Sequence, residues 1–495
     1  MPPNRSDRPP NLLFVFTDEQ RVDTLAAYGN TRIEMPNLNR LASQSHVFDR
    51  AYVTQPVCTP SRSTLLTGLW PHTSGCTANN VPLAEATPCL PEMLPAGRWA
   101  TAYHGKWHLG DEIFAQHGFE QWRSVEDLYR PHYSPGRDRS ARSTYHHWLL
   151  SRGITPADGD VFGRDETARL PEEHGKPAYL AGEASRYIRE HRHEPFVLFV
   201  NFLEPHMPFF GPRDAQYAPA DVSLPGNFDA PPTEDQPLKT RLYARSYYER
   251  GHSGLPLKTE ADWRRMIANY WGLCSLVDTH VGAILETLDD CGLAERTIVV
   301  FTSDHGDMMG SHRLLAKCTQ FEEAVRVPML IRLPGQREGR RVAGPVSHID
   351  LLPTLLDYLG VEPPAHVQGR SLRPQMEAGA PPREVFVEWN GANTGLEGLP
   401  ALHGTHVAEY ADAIATRGNA LATIHDPVRT IITPDGWKLN ASPLGEHELY
   451  NLTSDPQERR NRAGLPEDRP LMRALCQRIA KWQRRTGDAV ELPEI

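Results

Sequence analysis

NLLFVFTDE, at residues 11–19, is a short apolar run that ends in two acidic residues. Short runs of this kind, rich in aromatic and β-branched residues, are typical of strands buried on both faces of a parallel sheet. Similar runs recur along the chain, and we predict strands over residues 11–17, 99–103, 196–202, 297–303 and 328–333. The chain therefore carries the elements of a largely parallel sheet.

Helical patterns lie between these runs. Apolar residues recur at three- and four-residue spacing from Trp263 to Leu288, which predicts one long amphipathic helix. Strands that alternate with helices are typical of an α/β domain, so we expect a central, mainly parallel sheet sandwiched by helices. Two long polar stretches, residues 123–175 and 208–258, lack clear periodicity and are predicted to be loops.

The pattern changes near residue 380. Residues 378–383 read Ala-Gly-Ala-Pro-Pro-Arg, a sequence that ends any helix or strand. After it we predict short strands at 429–433 and 437–440 around a Pro-Asp-Gly turn, a further strand at 448–452 and a charged helix over 469–485. We therefore divide the chain into a large domain, residues 1–380, and a smaller C-terminal α+β domain, residues 381–495, with an antiparallel sheet plus a helix.

The composition limits the classes of partner. The 495 residues include 52 Lys and Arg against 62 Asp and Glu, so the net charge of −10 provides no general basic field for nucleic acid or an anionic membrane. No apolar run reaches membrane-spanning length, and the first is too short for a signal-peptide core. Seven cysteines spread over a long chain do not resemble a secreted disulfide framework, so we expect a cytoplasmic protein.

Polar side chains follow four of the predicted strands at the point where each strand ends. They are Asp18 and Glu19 after the first, His104, Lys106 and His108 after the second, His206 after the third, and Asp304 and His305 after the fourth. Because ligands of open α/β sheets bind outside the carboxyl ends of the strands, we expect these side chains to converge on one crevice.

The acidic members of this set indicate a cation site. Asp18, Glu19, Asp304 and His305 would place three carboxylates and an imidazole together, and their repulsion is unfavourable unless a cation neutralises it. Oxygen-rich ligation favours Ca²⁺ or Mg²⁺, and the imidazole also suits Mn²⁺. The alternative is that Asp18 and Asp304 merely cap the helices that follow their strands.

A cysteine begins another segment of interest, Cys58-Thr59-Pro60-Ser61-Arg62. The segment is predicted to pass from a loop into a helix, because Pro60 suits a first helical turn. Backbone N–H groups at a helix N-terminus favour negative charge on Cys58 or on a bound oxyanion. A lone cysteine in such a place is otherwise a small buried hydrophobe.

These segments together resemble a known family. Cys58-Thr59-Pro60-Ser61-Arg62 matches the signature of the type I sulfatases of the alkaline phosphatase superfamily, and residues 105–110, Gly-Lys-Trp-His-Leu-Gly, match their second signature. The resemblance covers about residues 11–460 and includes, in the family's order, Asp18-Glu19, residues 205–208, residues 303–307, Lys317 ahead of residues 326–328, residues 448–452 and Asp455-Pro456.

The resemblance implies an alkaline-phosphatase-like fold with residues 1–380 as the catalytic domain. It also implies that a formylglycine-generating or anaerobic maturing enzyme converts Cys58 to formylglycine, which is hydrated to a diol. In the family one diol oxygen ligates the metal and attacks sulfur, which forms a covalent sulfate. The second hydroxyl, deprotonated by a base that matches His108, then expels sulfate.

The resemblance also implies the roles of the remaining residues. Arg62 would hold the diol, Lys106 and Lys317 would bind sulfate oxygens, and His206 would lie near the leaving oxygen. The metal, Ca²⁺ by preference, would be held by residue 58 with Asp18, Glu19, Asp304 and His305. The roles of the lysines, Arg62 and His206 have simpler alternatives. The lysines could be surface residues, Arg62 could pair with a nearby carboxylate and His206 could be a core histidine. His104 and His312 are left open in the same way.

Two residues depart from the usual pattern of the family. Glu19 stands where Asp, Asn or Gln is common, and its longer side chain would change the coordination of the metal. His305 stands where Asn is common, a variant found among phosphonate and phosphodiester hydrolases of the superfamily as well as some sulfatases. The alternative function is a formylglycine-dependent phosphonate monoester or phosphodiester hydrolase, because sulfuryl and phosphoryl groups share a tetrahedral shape and need similar charge stabilisation, although those relatives generally lack counterparts of Lys106 and His108. A non-catalytic binding protein that never acquires the aldehyde is the third hypothesis.

The substrate is expected to be a small-molecule or saccharide sulfate ester. Residues 130–148 and 240–252 are rich in Arg, His and Tyr and could line the mouth of a site for an anionic sugar, form solvated loops or contact another subunit. Residues 389–428 have no assigned role, and oligomerisation into a homo-oligomer is one hypothesis for them.

Overall fold

The computed structural model describes residues 8–391 and 414–495. Of the stretch 389–428, for which oligomerisation was a hypothesis, residues 392–413 lie outside the described residues. Within the described ranges, no helix is both long enough and apolar enough to cross a membrane.

The described residues form thirteen strands, numbered in chain order. They are β1 (Asn11–Asp18), β2 (His46–Tyr52), β3 (Ala100–Gly105), β4 (Gln121–Arg123), β5 (Phe196–Pro205), β6 (Thr297–Ser303), β7 (Arg326–Val327), β8 (Met329–Arg332), β9 (Arg340–Ser347), β10 (Val385–Glu388), β11 (Arg429–Ile432), β12 (Trp437–Ala441) and β13 (Glu448–Asn451).

The α-helices of the same residues are α1 (Pro36–Ala42), α2 (Cys58–Thr67), α3 (Pro71–Ser74), α4 (Leu90–Met93), α5 (Thr144–Ser151), α6 (Arg164–Ala168), α7 (Lys176–Glu190), α8 (Leu238–Arg250), α9 (Glu260–Asp290), α10 (Glu322–Val325), α11 (Leu351–Leu359), α12 (Arg373–Ala378), α13 (Arg417–Ile424) and α14 (Arg469–Thr486). The predicted long helix lies within α9, and the predicted C-terminal helix within α14.

The main sheet has the order β4-β3-β5-β1-β6-β8-β2-β7, with β9 paired to β2. The first five strands in this order, β4, β3, β5, β1 and β6, run parallel to one another. Strand β8 runs antiparallel to both β6 and β2. The prediction of a mainly parallel sheet is confirmed. The carboxyl ends of β1, β3, β5 and β6, which precede the four polar clusters, therefore lie along one edge of the sheet.

Both faces of the sheet are covered, as the apolar composition of β1 predicts. Leu13 and Val15 point into one buried cluster that includes residues of α7 and α9. Leu12 and Phe14 point into a second cluster that includes residues of α2 and α11. Because successive side chains of a strand point to opposite faces, a continuous apolar run requires helices on each side.

The second sheet is antiparallel, with the order β10-β11-β12-β13, and α14 packs on it through Met472 and Leu475 against Ile431 and Leu439. The predicted antiparallel sheet plus helix is therefore confirmed. Its first strand begins at Val385. The proposed division into separate domains at residue 380 stays a prediction.

Several elements were not predicted from the sequence. Strands β2, β4, β7 and β9 lack a long continuous apolar run; in β9, for example, buried residues are confined to Val342 and the last three positions. Strand β10 carries the short run Val-Phe-Val, which sequence reasoning did not use. The expectation that residues 208–258 form only loops is wrong, because α8 lies within them, and α5 lies within 123–175 in the same way. The apolar side of α8 is formed mainly by Leu238, Leu242 and Tyr243, and Arg, Lys and Tyr residues obscure its periodicity.

A glycine at the end of β3 permits the close approach of β5. Gly105 has a φ of +124°, and a Cβ there would lie 2.0 Å from the backbone oxygen of Asn201. We expect Gly105→Ala to lower the free energy of unfolding by roughly 3 kcal/mol, through overpacking and backbone strain. Denaturant titration measures this.

The matched control for this substitution is Gly182→Ala in α7, where a Cβ meets no atom within 4 Å. It should leave stability unchanged or raise it by about 0.5–1 kcal/mol. Equal unfolding midpoints for Gly105→Ala and the wild type would show that β3 and β5 do not approach as closely as described.

Candidate active site

Four donor atoms from three separate chain segments meet at the carboxyl edge of the main sheet. The Sγ of Cys58 lies 3.3 Å from Nε2 of His305 and 3.6 Å from Oδ1 of Asp18. The same His305 nitrogen lies 3.5 Å from Oδ1 of Asp304 and 3.6 Å from Oδ1 of Asp18. All four side chains are buried. Asp18 of the first acidic doublet, the Asp-His doublet and position 58 therefore converge as expected, whereas the Glu19 carboxylate is not in this group.

The donor set fits a divalent cation. Separations of 3.3–3.6 Å are those of neighbouring ligands around one ion bound at about 2.3–2.6 Å. His305 Nδ1 lies 2.9 Å from the carbonyl oxygen of Gly306, so the N–H at Nδ1 donates to it and Nε2 presents its lone pair to the centre. Without a bound cation, burial and Lys317 act to lower the pKa of His305. Asp304 and Cys58 together outweigh them and raise that pKa to about 9. A cation at the centre would keep this ring neutral by ligation.

Arg62 holds the two aspartates in place. Its Nη2 donates to Oδ2 of Asp18 and its Nε to Oδ2 of Asp304, each at 2.9 Å, and its Nη1 donates to the carbonyl oxygen of Lys106 at 2.7 Å and to Oδ1 of Asn201 at 2.9 Å. The side chain is fully buried. All four acceptors are oxygen atoms of the active site or of residues that border it, so Arg62 positions the aspartates.

Position 58 has an electrostatic environment that favours negative charge. Cys58 is the first residue of α2 and is buried. Burial and Asp18 raise the pKa of its thiol, but Lys106, Lys317 and His305 outweigh them and lower it below its usual value. The same cations would stabilise an oxygen anion at this position.

The two lysines approach the centre from different sides. Lys106 Nζ donates to Oδ2 of Asp18 at 2.5 Å, and Lys317 Nζ donates to Oε2 of Glu19 at 3.1 Å. Both lysines are buried, so the alternative that they are surface residues is wrong. Burial alone would raise the pKa of Asp18, but Lys106, His206 and Arg62 hold it well below its usual range.

His108 presents one free ring nitrogen. It adopts a φ of +59° after β3, and the carboxylate of Glu112 accepts its backbone N–H at 2.7 Å. Its Nε2 lies 3.1 Å from Oδ1 of Asn80 and donates to it, which leaves the buried Nδ1 without a partner among the described residues. Burial, Lys106 and Arg62 lower the pKa of His108 well below its usual value, so the ring is neutral and can accept a proton.

Glu19 takes a different direction from Asp18. Its carboxylate lies 3.1 Å from Lys317 Nζ and 3.5 Å from His206 Nε2, outside the group of four donor atoms. A φ of +73° turns the chain at this residue, and its backbone N–H donates to Oδ1 of Asp304 at 3.2 Å. Burial raises the pKa of Glu19 to about 8, although Lys317 opposes the shift. Its role as a metal ligand therefore stays a prediction.

His206 faces the site, whereas His104 and His312 do not. His206 Nδ1 lies 2.7 Å from the carbonyl oxygen of Met207 and donates to it, so Nε2 faces Glu19 and the site. His104 instead contacts Gln121 at 3.1 Å and packs against Tyr187. His312 contacts the carbonyl oxygens of Ala230 and Gln457, at 2.7 and 3.1 Å. None of these contacts of His104 or His312 is with a site residue, so both support the surrounding structure.

Residues that no motif marked complete the site, and each left at most a weak signal. Asn201 is a polar residue inside the apolar strand β5, which was a signal that sequence reasoning did not use. Glu112 binds the backbone of Trp107 and His108 at 2.8 and 2.7 Å. Tyr129 lies in the unpatterned stretch 123–175, and its ring centre is 4.4 Å from that of His108.

The wall around Tyr129 is also charged. Arg164 Nη2 donates to the Tyr129 hydroxyl at 2.7 Å, and its Nε donates to Glu126 at 2.6 Å. From the other stretch, burial, Arg250 and Lys317 lower the pKa of His252 to about 4. Residues of the stretch 123–175 therefore border the catalytic centre.

Comparison with known proteins agrees with this geometry. The family model described as Sulfatase matches residues 10–361. The chain is 28% identical over 457 residues to the uncharacterized sulfatase YidJ of Escherichia coli (strain K12), which covers 91% of this chain and 82% of that protein. It is 25% identical over 524 residues to the N-acetylglucosamine-6-O-sulfatase of Bacteroides thetaiotaomicron, which covers 98% and 88%. The solved structure of the phosphonate monoester hydrolase SpPMH from Silicibacter pomeroyi matches with a TM-score of 0.77 and 23% identity, over 96% of each chain.

The mainly parallel sheet, with its buried acidic centre at the carboxyl edge, has the fold of this solved structure. The chain belongs to the sulfatase family, since the family model covers more than half of it. The resemblance identified from the signatures is therefore confirmed, and so is the alkaline-phosphatase-like fold.

The geometry around Arg62 predicts that lysine cannot replace it. Arg62→Lys keeps the charge but cannot bridge Asp18 and Asp304 while also bonding Asn201, so we expect the free energy of unfolding to fall by roughly 2–4 kcal/mol. Denaturant titration measures this. Arg40→Lys is the matched control, because the Arg40 side chain is 43% exposed, and it should change stability by less than about 0.5 kcal/mol. Identical midpoints for both variants would contradict a bridging role.

Proposed function

We propose that this sulfatase hydrolyses sulfate monoesters with residue 58 as the nucleophile, after a maturing enzyme has converted Cys58 to formylglycine. The environment of position 58 carries the proposal. A buried side chain beside Asp18 has a lowered pKa there, because Lys106, Lys317 and His305 favour its anion. In the structure the Cys58 Sγ stands where the oxygen of the mature residue would lie.

The metal would be held by Asp18, residue 58, Asp304 and His305, with Ca²⁺ the expected ion and Mn²⁺ or Mg²⁺ as alternatives. When bound, it would supply Lewis-acid activation of the nucleophile and neutralise charge on the sulfuryl group. Glu19, predicted as a further ligand, contacts Lys317 and His206 and would act with them on the leaving-group side of the pocket.

The two lysines would bind the sulfuryl oxygens. Each ammonium has three N–H donors, and Lys106 and Lys317 each have one donor engaged, with Asp18 and Glu19. Fixed cations in a buried site stabilise charge that develops on the sulfuryl oxygens, since no solvent has to reorganise during the reaction.

His108 and His206 would carry out the proton transfers. Asn80 fixes the N–H of His108 at Nε2, so Nδ1 is the atom that accepts a proton from residue 58. The carbonyl of Met207 fixes the N–H of His206 at Nδ1, so Nε2 is the atom that would hold a proton for the departing alcohol. The base role of His108 needs a neutral ring, which its lowered pKa provides, whereas the acid role of His206 needs a second proton on the ring at Nε2, which burial and Lys317 disfavour in the resting site.

The substrate is proposed to be a small-molecule or saccharide sulfate ester. Tyr129 packs beside His108 and Arg164 binds the Tyr129 hydroxyl, so both would contact the part of the substrate beyond the sulfate. The relatives include a named N-acetylglucosamine-6-O-sulfatase, which supports a saccharide. The cytoplasmic location and a homo-oligomeric state are proposed on the sequence alone.

The direct test compares three ester classes on one matured enzyme sample. Mass spectrometry first measures how much of Cys58 is formylglycine, in protein from the native host. Turnover of an aryl sulfate should then exceed that of the matching aryl phosphonate and aryl phosphodiester. Faster phosphodiester or phosphonate cleavage would instead favour the phosphohydrolase activity of the relative SpPMH. A fully unmodified Cys58 in active native protein would contradict the formylglycine proposal.

The lysine roles predict a defined loss. Lys106→Met or Lys317→Met should lower kcat/KM for the aryl sulfate by about 10²–10³-fold, since each removes one cation from the sulfuryl group. The matched control is Lys438→Met: Lys438 is also buried, but its partners Glu322 and Glu458 lie outside the site. The control should reduce stability and leave kcat/KM of the folded fraction near the wild-type value. Losses of equal size in all three variants would show that the first two act through folding alone.

A further inference from the structure

Three residues outside the active site bring metal-ligand atoms together. Cys89 and His117 are buried, Glu92 is partly exposed, and one ligand atom from each lies within 4.8 Å of the other two. Cys89 and Glu92 belong to the turn that begins α4, whereas His117 comes from a loop after β3. The cluster therefore joins two separate segments of the chain.

One nitrogen of this cluster lacks a hydrogen bond. His117 Nδ1 is buried, with the side chain 3% exposed, and makes no hydrogen bond among the described residues. It lies 3.4 Å from Oε2 of Glu92, at ion-pair distance but without the alignment of a hydrogen bond, and that oxygen already accepts the backbone N–H of Cys89 at 2.9 Å. A buried imidazole nitrogen without a hydrogen bond is unfavourable unless something else satisfies it.

The backbone holds the histidine in this position. His117 and Gly118 have φ values of +51° and +75°, and a Cβ at Gly118 would lie 2.9 Å from Cγ of Glu92. The two segments therefore approach as closely as a glycine permits. On its other side the His117 ring stacks on Trp107, with ring centres 5.8 Å apart, so the imidazole has little freedom to turn away.

We propose that Cys89, Glu92 and His117 form a second metal site, for a borderline transition metal such as Zn²⁺ or Co²⁺. Sulfur, imidazole and carboxylate are the donors that Zn²⁺ uses, and three protein ligands leave a position for water. This donor set differs from the oxygen-rich active site, so the two sites select different ions. The exposed side of Glu92 provides the path by which the ion enters.

Binding exchanges a proton for the metal. Burial, Glu92 and Cys76 raise the pKa of the Cys89 thiol well above its usual value, so without metal the sulfur carries its proton. The ion forms a bond to the sulfur as that proton leaves to solvent, and no oxidant or reductant is needed. Trp107, whose ring stacks on His117, lies between Lys106 and His108 in the chain. An ion bound to His117 would therefore restrict the movement of the segment that carries both active-site residues.

The test uses the absorption of Co²⁺ bound to a thiolate. Cys58→Ala is the background, because it removes the active-site thiol and leaves only oxygen and nitrogen donors there. Titration of this protein with Co²⁺ should give a thiolate-to-cobalt charge-transfer band whose amplitude corresponds to one thiolate-bound cobalt per chain. Metal analysis after dialysis against Zn²⁺ should find one zinc more per chain than in the same protein carrying Cys89→Ser. Absence of the band would overturn the proposal.

Second substitutions in that background identify the ligands. Cys89→Ser should abolish the band, and His117→Asn, which suits a left-handed φ, should weaken Co²⁺ binding at least tenfold. Cys76→Ser is the matched control, because Cys76 is a buried neighbouring thiol outside the ligand group, and it should keep the band. A band that survives Cys89→Ser would overturn the proposal. If Cys89→Ser does not fold, unchanged Co²⁺ affinity in His117→Asn would overturn it equally.

Discussion

The compensation of buried negative charge is the constraint on which the site depends. Asp18 and Asp304 lie at the ends of two adjacent parallel strands, where no solvent reaches them, and one guanidinium bridges both. Two carboxylates this close would repel each other strongly in a buried environment. Arg62 and Lys106 bind the Oδ2 atoms and balance much of that charge, which leaves the Oδ1 atoms of both aspartates as ligands for a divalent cation. The sheet topology, which brings β1 and β6 side by side, thus determines where an ion can bind.

The same charges define what the site can do at position 58. Cys58 begins α2 directly over the aspartates, and Lys106 and Lys317 approach it from β3 and from the loop before α10. An anion is therefore favoured at residue 58 despite its burial beside a carboxylate. An active site that binds a tetrahedral, negatively charged ester and attacks it needs both an activated oxygen and fixed cations. The family membership and the local electrostatics lead to the same chemistry from independent directions.

Sequence reasoning reached the parts of the molecule in which one strong local pattern decides the outcome. Strands β1, β5 and β6 are buried on both faces, so their apolar runs were visible, and the polar residues at their ends converge as expected. Strands β2 and β9 escaped notice because the pairing of one with the other, rather than their composition, makes them strands. Side-chain direction was harder to predict: the chain turns at Glu19, and spacing alone could not show that its carboxylate faces Lys317. His104 lies at the carboxyl end of β3, but its ring contacts Gln121 of β4 and Tyr187 of α7 rather than the site.

The most direct measurement of the central arrangement is a crystal structure of the matured enzyme with Mn²⁺, in which anomalous scattering locates the ion. One peak should lie within bonding distance of Asp18, residue 58, Asp304 and His305 together, with Arg62 still bridging the two aspartates. A peak bound elsewhere, or an ion on the aspartates with residue 58 outside its coordination sphere, would contradict the proposal that a cation and a nucleophile share this site.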